Sequence, residues 1–383
     1  MPSPTPGSAV FKFGMRVFTT TEGSGQVEIT VERLGDASGE AAVDYATQSL
    51  TASERSDFTT AVGRLHFFPS ETVKSFPVLI TEDSLLEGSE VAQITLADTS
   101  TGATLDLAHL VILDDPVEPQ TNAAEDPALF VRQHYHDFLN REPDAQGLAF
   151  WAGDIGQCQN IADPQQRARC TDAKRVNTSA AFFFSIEFQE TGFLVYRMYR
   201  AALPESAARP RGMPRFAEFM RDTQEVSRGV AVGKGDWQTQ LAANKQALFD
   251  DFVRRPEFLA VYPESMTAEQ YADALFRTAG LVPTPAERQA VVDEFLTPEH
   301  ARARALRRVA ESEALTRREF RPAFVLMQYF GYLRRNPDDA PDSDFSGFDF
   351  WLSKLEQFGG DYQRAQMVKA FLDSAEYRQR FGP

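Results

Sequence analysis

The chain has 383 residues, 43% apolar and 25% charged, the composition of folded globular protein and length enough for two or three domains. Its net charge of −16 argues against a nucleic-acid backbone or an anionic membrane surface as partner, and no apolar run approaches the ~18 residues of a membrane span. The acid is concentrated early, with six Lys/Arg against seventeen Asp/Glu in residues 1–117, and an excess of that kind favours cations. The opening Met-Pro-Ser-Pro-Thr-Pro-Gly has neither the basic start nor the apolar stretch of a signal peptide, so the chain reads as mature protein or the tail of a longer one.

Short segments of period-2 alternation fill the first third. Val27, Ile29 and Val31 fall on one side and Gln26, Glu28 and Thr30 on the other. Leu65-His66-Phe67, Phe76-Pro77-Val78-Leu79-Ile80 and Ile94-Thr95-Leu96 follow, separated by turns rich in Gly, Ser and Asp. That spacing predicts a β-sandwich, with Pro77 on an edge or at a bulge because proline cannot donate to a ladder. Carboxylates gather at the strand ends. Glu82, Asp83, Glu87 and Glu90 lie between Thr81 and Glu90, and Asp114-Asp115 closes the run Leu110-Val111-Ile112-Leu113. Such clusters repel and need either a solvated loop or a bound cation, and Ca²⁺ takes about six to eight oxygen ligands.

Seven motifs stand in order across this region: Thr21-Glu22-Gly23, Val27 through Val31-Glu32-Arg33, Val43-Asp44-Tyr45-Ala46-Thr47, Ser56-Asp57-Phe58, Gly63-Arg64-Leu65-His66-Phe67, Glu87-Gly88-Ser89-Glu90 and Asp114-Asp115. Together, over residues 10–116, they resemble the Calx-β family, calcium-binding sandwiches of sodium/calcium exchangers and many bacterial surface proteins. The resemblance implies an immunoglobulin-like β-sandwich whose loops converge at one end. It makes Glu22, Asp57, Glu82, Asp83, Glu87, Glu90, Asp114 and Asp115 the ligands of Ca²⁺. Two departures reduce the number of ions expected: Glu82 stands where aspartate is usual, and Pro116 follows two aspartates where three are common. The alternative is a sandwich kept as a spacer with weak or no calcium binding.

The pattern changes near residues 116–127. A sandwich over 1–117, a linker over 118–127 and an all-α domain over 128–383 make a multidomain β + α chain. Asp126-Pro127 offers a capping carboxylate and a proline at the first helical position, and Phe130, Val131, His134, Tyr135, Phe138 and Leu139 recur at helical spacing. Cys158 and Cys170 are the only cysteines and have no His or Cys nearby to complete a zinc tetrad. Either they form a disulfide, implying an oxidising compartment, or they remain free thiols; the disulfide is the preferred reading.

An internal repeat runs through the helical part. The stretch from Phe130 to Asp144 returns from Phe324 to Asp338; each copy proceeds to an aromatic pair, Phe150-Trp151 and Phe350-Trp351. Each then ends in a second signature, Ser185-Ile186-Glu187-Phe188 and Ser374-Ala375-Glu376-Tyr377. With two weaker copies between, about four diverged units make an all-α repeat domain. Tyr135, Leu139, Arg141, Pro143, Asp144, Gly147, Trp151 and Ser185 to Phe188 resemble the signature of the bacterial family catalogued as domain of unknown function 4214. Physically, Pro143 and Asp144 end one helix and start a turn, the Phe-Trp pairs fill the core, and Glu187 and Glu376 cap a helix or pair with arginine. In the last unit Asp342, Asp344 and Ser346, with Gly347 at the turn, resemble half of an EF-hand loop, a weaker second metal site set against a solvated capping turn.

No HExxH, G-x-S-x-G, P-loop or G-x-G-x-x-G is present, and the five histidines are scattered. The expectation is a chain with no catalytic residues, secreted or at the cell surface. Its sandwich is a calcium-stiffened spacer; its helical domain contacts other protein chains, cell-envelope components or copies of itself. The alternative is a carbohydrate-binding module, with exposed aromatics stacking on a glycan.

Overall fold

A computed structural model describes residues 9–382. The N-terminal stretch read above for a signal peptide lies outside the described residues. Eight strands are described: β1 (Val10–Phe13), β2 (Val17–Thr21), β3 (Gln26–Leu34), β4 (Ala41–Ser49), β5 (Val62–Phe67), β6 (Val73–Leu79), β7 (Glu90–Ala97) and β8 (Thr104–Leu113). They form two sheets, ordered β1-β3-β6 and β2-β8-β7-β4-β5. All pairings are antiparallel except β2 with β8.

Alternation builds the core. In β3, Ile29 and Val31 are fully buried while Glu28 and Glu32 reach toward solvent. Opposing sheets meet through aromatic contacts: Tyr45 of β4 stacks on Phe76 of β6 at 3.7 Å, and Phe11 of β1 meets Phe67 of β5 at 5.3 Å. Each such side chain stabilises the sandwich by roughly 1.5–3 kcal/mol relative to exposure. Pro77 lies on β6, the edge of the three-stranded sheet, where a missing N–H costs no ladder bond.

Among the described residues no strand follows Leu113. Helix α1 (Pro127–Leu139) begins at Asp126, whose carboxylate accepts from the N–H groups of Ala128 and Leu129. It ends at Asn140 in the left-handed conformation. Helix α2 (Ala145–Gly156) is capped by Asp144, and α3 covers Pro164–Phe184. Cys158, just past α2, is bonded to Cys170 within α3, with Cα atoms 5.7 Å apart. The disulfide is therefore formed, and free thiols are not.

The chain divides into two compact units, one of residues 1–180 with 368–383 and the other of residues 181–367. Composition drew the boundary at 117/128, and compactness does not follow it. Residues 118–180 and the C-terminal segment pack with the sandwich through contacts that no local pattern announces. Arg55 pairs with Glu376 at 3.0 Å, and Arg380 donates to the carbonyl of Arg55 and pairs with buried Asp137. The Asn122 amide donates to the carbonyls of Arg378 and Gly382, so the chain's end closes over the start of the helical residues.

The second unit is helical and is held by two buried polar networks. Tyr196 donates to Glu319, which also pairs with Arg200; Tyr199 donates to Asp222, which pairs with Arg255 at 2.8 Å. Burial raises the Asp222 carboxyl, but Arg255 and Arg221 outweigh it and hold the group down to about 2. Both networks are internally satisfied, the condition under which buried charge is tolerated.

The two similar segments share local geometry. Asn140 and Arg334 are both left-handed, Arg141 and Arg335 lie over the rings of Tyr135 and Tyr329, and the hydroxyls of those tyrosines abut Gly147 and Gly347. Ser185 and Ser374 accept from the N–H of Phe188 and Tyr377, so the caps are serines; Glu187 accepts from Val232 N and Glu376 pairs with Arg55. One expectation is corrected. Phe150 and Phe350 are 65% and 56% exposed, and Trp151 and Trp351 are half-buried. Neighbours on a helix do not share a face, and the inward positions belong to Ile155 in the first segment and to Phe348 and Leu355 in the second.

Candidate metal centre

Four loops at one end of the sandwich bring the acidic residues together. Glu22 sits on a single 3-10 turn directly after β2, and its Oε1 accepts from Asp83 N at 3.0 Å. Asp57 is held beside the acidic loop because its carbonyl accepts from Thr81 N, while Phe58 bridges Ile80. Glu90 opens β7 opposite Ile112, and Asp114 follows β8. Asp114 Oδ2 accepts from the N–H groups of Glu87 and Gly88 at 2.8 and 2.6 Å. Gly88 has φ +80, so this turn takes a backbone conformation that other residues resist.

Carboxylate oxygens of Glu22, Asp114 and Glu118 lie within 4.8 Å of one another, and so do those of Asp57, Glu87 and Glu90. Glu22, Asp57, Glu87, Glu90 and Asp114 line one cleft. Asp83, only 2% exposed, stands behind it; its Oδ1 accepts from Leu85 N, and its Oδ2 is buried with no partner. Glu82 Oε2, Asp114 Oδ1 and both carboxyl oxygens of Glu118 are likewise buried without a hydrogen bond. Unpaired buried acceptors of this kind cost about 1–3 kcal/mol each.

The electrostatics express the same conflict. Burial, reinforced by Asp83 and then by Glu82 and Asp114, raises the Glu22 carboxyl to about 9. Burial raises Asp83 to about 7, with Glu87, Asp57 and Glu118 adding to it against the Leu85 N–H. Glu90 is raised to about 8 by burial and by the hydrogen bond and charge of Asp57. Glu82, Glu87 and Glu118 are raised as well, burial being the first cause in each. On the helical side Arg132 of α1 faces Glu82 and opposes its shift. These are hard oxygen donors with lone pairs to spare, converging from several loops. The set fits Ca²⁺, which is held by carboxylates in irregular, high-number coordination.

Residues 7–116 match the Calx-beta domain. The sodium/calcium exchanger Calx of Drosophila melanogaster is 37% identical over 101 residues, 26% of this chain and 11% of the exchanger. Integrin beta-4 of Rattus norvegicus is 33% identical over 104 residues, again 26% of this chain and 6% of that protein. This chain thus spans a small part of either relative's length. The crystal structure of the apo-form Calx CBD1 domain is 34% identical, covering 28% of this chain and 97% of that one, with a TM-score of 0.27.

Of the eight residues expected as ligands, five line the Calx-beta cleft and Asp83 lies behind it. Glu82 and Asp115 flank the cluster and act on it through charge; neither belongs to a close carboxylate triad. Glu118 was not expected. It lies two residues beyond the Calx-beta match, past the end of the strand pattern. The second predicted loop places its acids on the protein's own donors. Asp342 Oδ2 is paired with Arg335 at 2.9 Å, and Asp344 Oδ1 accepts from Ser346 N. Among the described residues, neither carboxylate triad includes them.

Proposed function

We propose that this chain is a non-catalytic secreted or cell-surface protein. Its Calx-beta sandwich, read as immunoglobulin-like, binds Ca²⁺ through Glu22, Asp57, Asp83, Glu87, Glu90 and Asp114. The observation that carries the calcium reading is the buried, unpartnered Oδ2 of Asp83 within a cluster of converging carboxylates. When bound, a divalent cation supplies the charge that six acids lack. Glu87 and Glu90 come from one short loop, Asp57 and Glu22 from two others, and Asp114 already ties the Glu87–Gly88 backbone to the end of β8. Joint ligation by these residues stiffens the end of the sandwich. The Cys158–Cys170 bond supports an oxidising compartment.

The helical residues are read as diverged repeats of domain of unknown function 4214 that contact other chains, envelope components or further copies. Their paired tyrosine, glycine and serine geometry supports that reading. The calcium reading is tested by thermal unfolding of the full chain in millimolar calcium and in chelator, because an ion that binds only the folded state raises its stability. A higher midpoint with calcium is expected; coincident curves overturn it.

The exposed Phe150 and Phe350, each edge-on to a half-buried Trp at 4.9 and 5.0 Å, favour a second reading in which these pairs stack on sugar rings. Binding to a glycan array that Phe150→Ala and Phe350→Ala abolish would establish it, and an array without signal would remove it.

A further inference from the structure

We infer that Glu118, outside the sandwich, is itself a ligand of the cation, and that cation binding thereby fastens the segment leading from β8 into α1. This rests on the calcium reading above and extends it to residues the Calx-beta match does not cover. Between Pro116 and Thr121, Glu118 alone is not exposed. Its neighbours Val117 and Pro119 face solvent, yet its carboxyl turns inward to lie with Glu22 and Asp114 within 4.8 Å. Both of its oxygens are buried and neither has a hydrogen bond.

That placement is costly without a positive charge. The acids around Glu118 are Asp114, Asp115, Glu82, Asp83 and Glu22, while Arg132 of α1 faces Glu82 and pairs with Glu142 at 3.4 Å. Beyond Glu118 the segment is next attached at the Thr121 carbonyl, which accepts from Ser84 Oγ at 2.8 Å. From Asn122 onward the chain is anchored to residues 378–382. The segment is therefore pinned at its far end by hydrogen bonds and at its near end by a carboxylate that repels its surroundings. A cation shared by Glu118, Glu22 and Asp114 converts that repulsion into attachment. Pro116 follows Asp114-Asp115 at the strand end, and Glu118 supplies further oxygen donors three residues beyond Asp115.

Hydrogen exchange of the full chain, with calcium or with chelator, tests this through the amides of Val117, Glu118, Gln120 and Thr121. Calcium should slow exchange both there and in the loop from Glu87 to Glu90. In Glu118→Gln, calcium protection of residues 117–121 should be lost while that of residues 87–90 persists. Protection of 87–90 without any change at 117–121 in the wild type overturns the inference and leaves the calcium site standing. No calcium effect in either segment overturns both.

Discussion

The hydroxyl of Tyr135 stands where a Cβ on Gly147 would have to go, so α1 meets α2 at bare backbone. Tyr135 is 6% exposed and Arg141 lies over its ring at 4.9 Å, which leaves the ring little room to withdraw. Gly147→Ala should therefore overpack the junction and cost about 1–3 kcal/mol. Gly153, in the same helix, is exposed and has nothing near its absent Cβ. Gly153→Ala should instead stabilise by roughly 0.5–1 kcal/mol, because alanine loses less entropy in a helix. Chemical denaturation of the two variants beside the wild type reads both signs.

What was legible in the sequence is what local periodicity and chemistry control. The alternation at Ile29 and Val31 named their buried face, and Asp126-Pro127 named the start of α1. Glu22, Asp57, Glu87, Glu90 and Asp114 were named because the Calx-β resemblance places ligands at those positions, and they line one cleft. Glu118 was not, since the strand pattern stops at Leu113 and the carboxylate returns to the cleft through tertiary geometry alone. Phe150 and Phe350 were assigned to the core on hydrophobicity, which does not tell which of two adjacent helical residues faces inward. The bond from Arg380 to Arg55 joins residues 325 apart, and no local signal encodes it.

Asp83→Asn separates the cost of the site from its use. The asparagine carbonyl keeps the bond from Leu85 N, while the unpartnered Oδ2 becomes an amide that donates toward neighbouring carboxylates. The metal-free variant should be more stable than the metal-free wild type by about 1–3 kcal/mol, the cost of one unsatisfied buried group. Its stabilisation by calcium should shrink. Paired melts in chelator and in calcium measure both quantities; a variant less stable in chelator and unchanged in calcium response would contradict this role.

Reducing the Cys158–Cys170 bond should lower stability by about 3 kcal/mol, the chain-entropy value for a loop of this size. Cys158 is fully buried, so reduction of the folded chain should be slow until denaturant opens the α2–α3 region. Mass spectrometry after alkylation of the native, unreduced chain should find both sulfurs unlabelled. Cys170→Ser should melt at the same temperature as the reduced wild type, which separates loss of the cross-link from damage to the site of Cys158.

His134 sets an acid limit on the first unit. It is 1% exposed; its Nδ1 lies 2.7 Å from the Phe130 carbonyl and its Nε2 2.6 Å from Ser179 Oγ. A carbonyl only accepts, so Nδ1 carries the proton and Nε2 accepts from the serine. Burial holds the imidazole down to about 4; Phe130 and Asp137 oppose this, and Arg175 and Arg380 reinforce it. The unfolded histidine titrates near 6.5, so between about 6.5 and 4 the unfolded chain binds the extra proton. Stability is then present above that window and lost as pH falls through it, by roughly 3 kcal/mol from this residue alone. Other groups titrate in the same range, so the measurement is a difference. His134→Gln should be less stable than wild type at pH 7, and the gap should close as pH falls from 6.5 to 4. A gap constant across that range would show that the imidazole does not enter the folded state neutral.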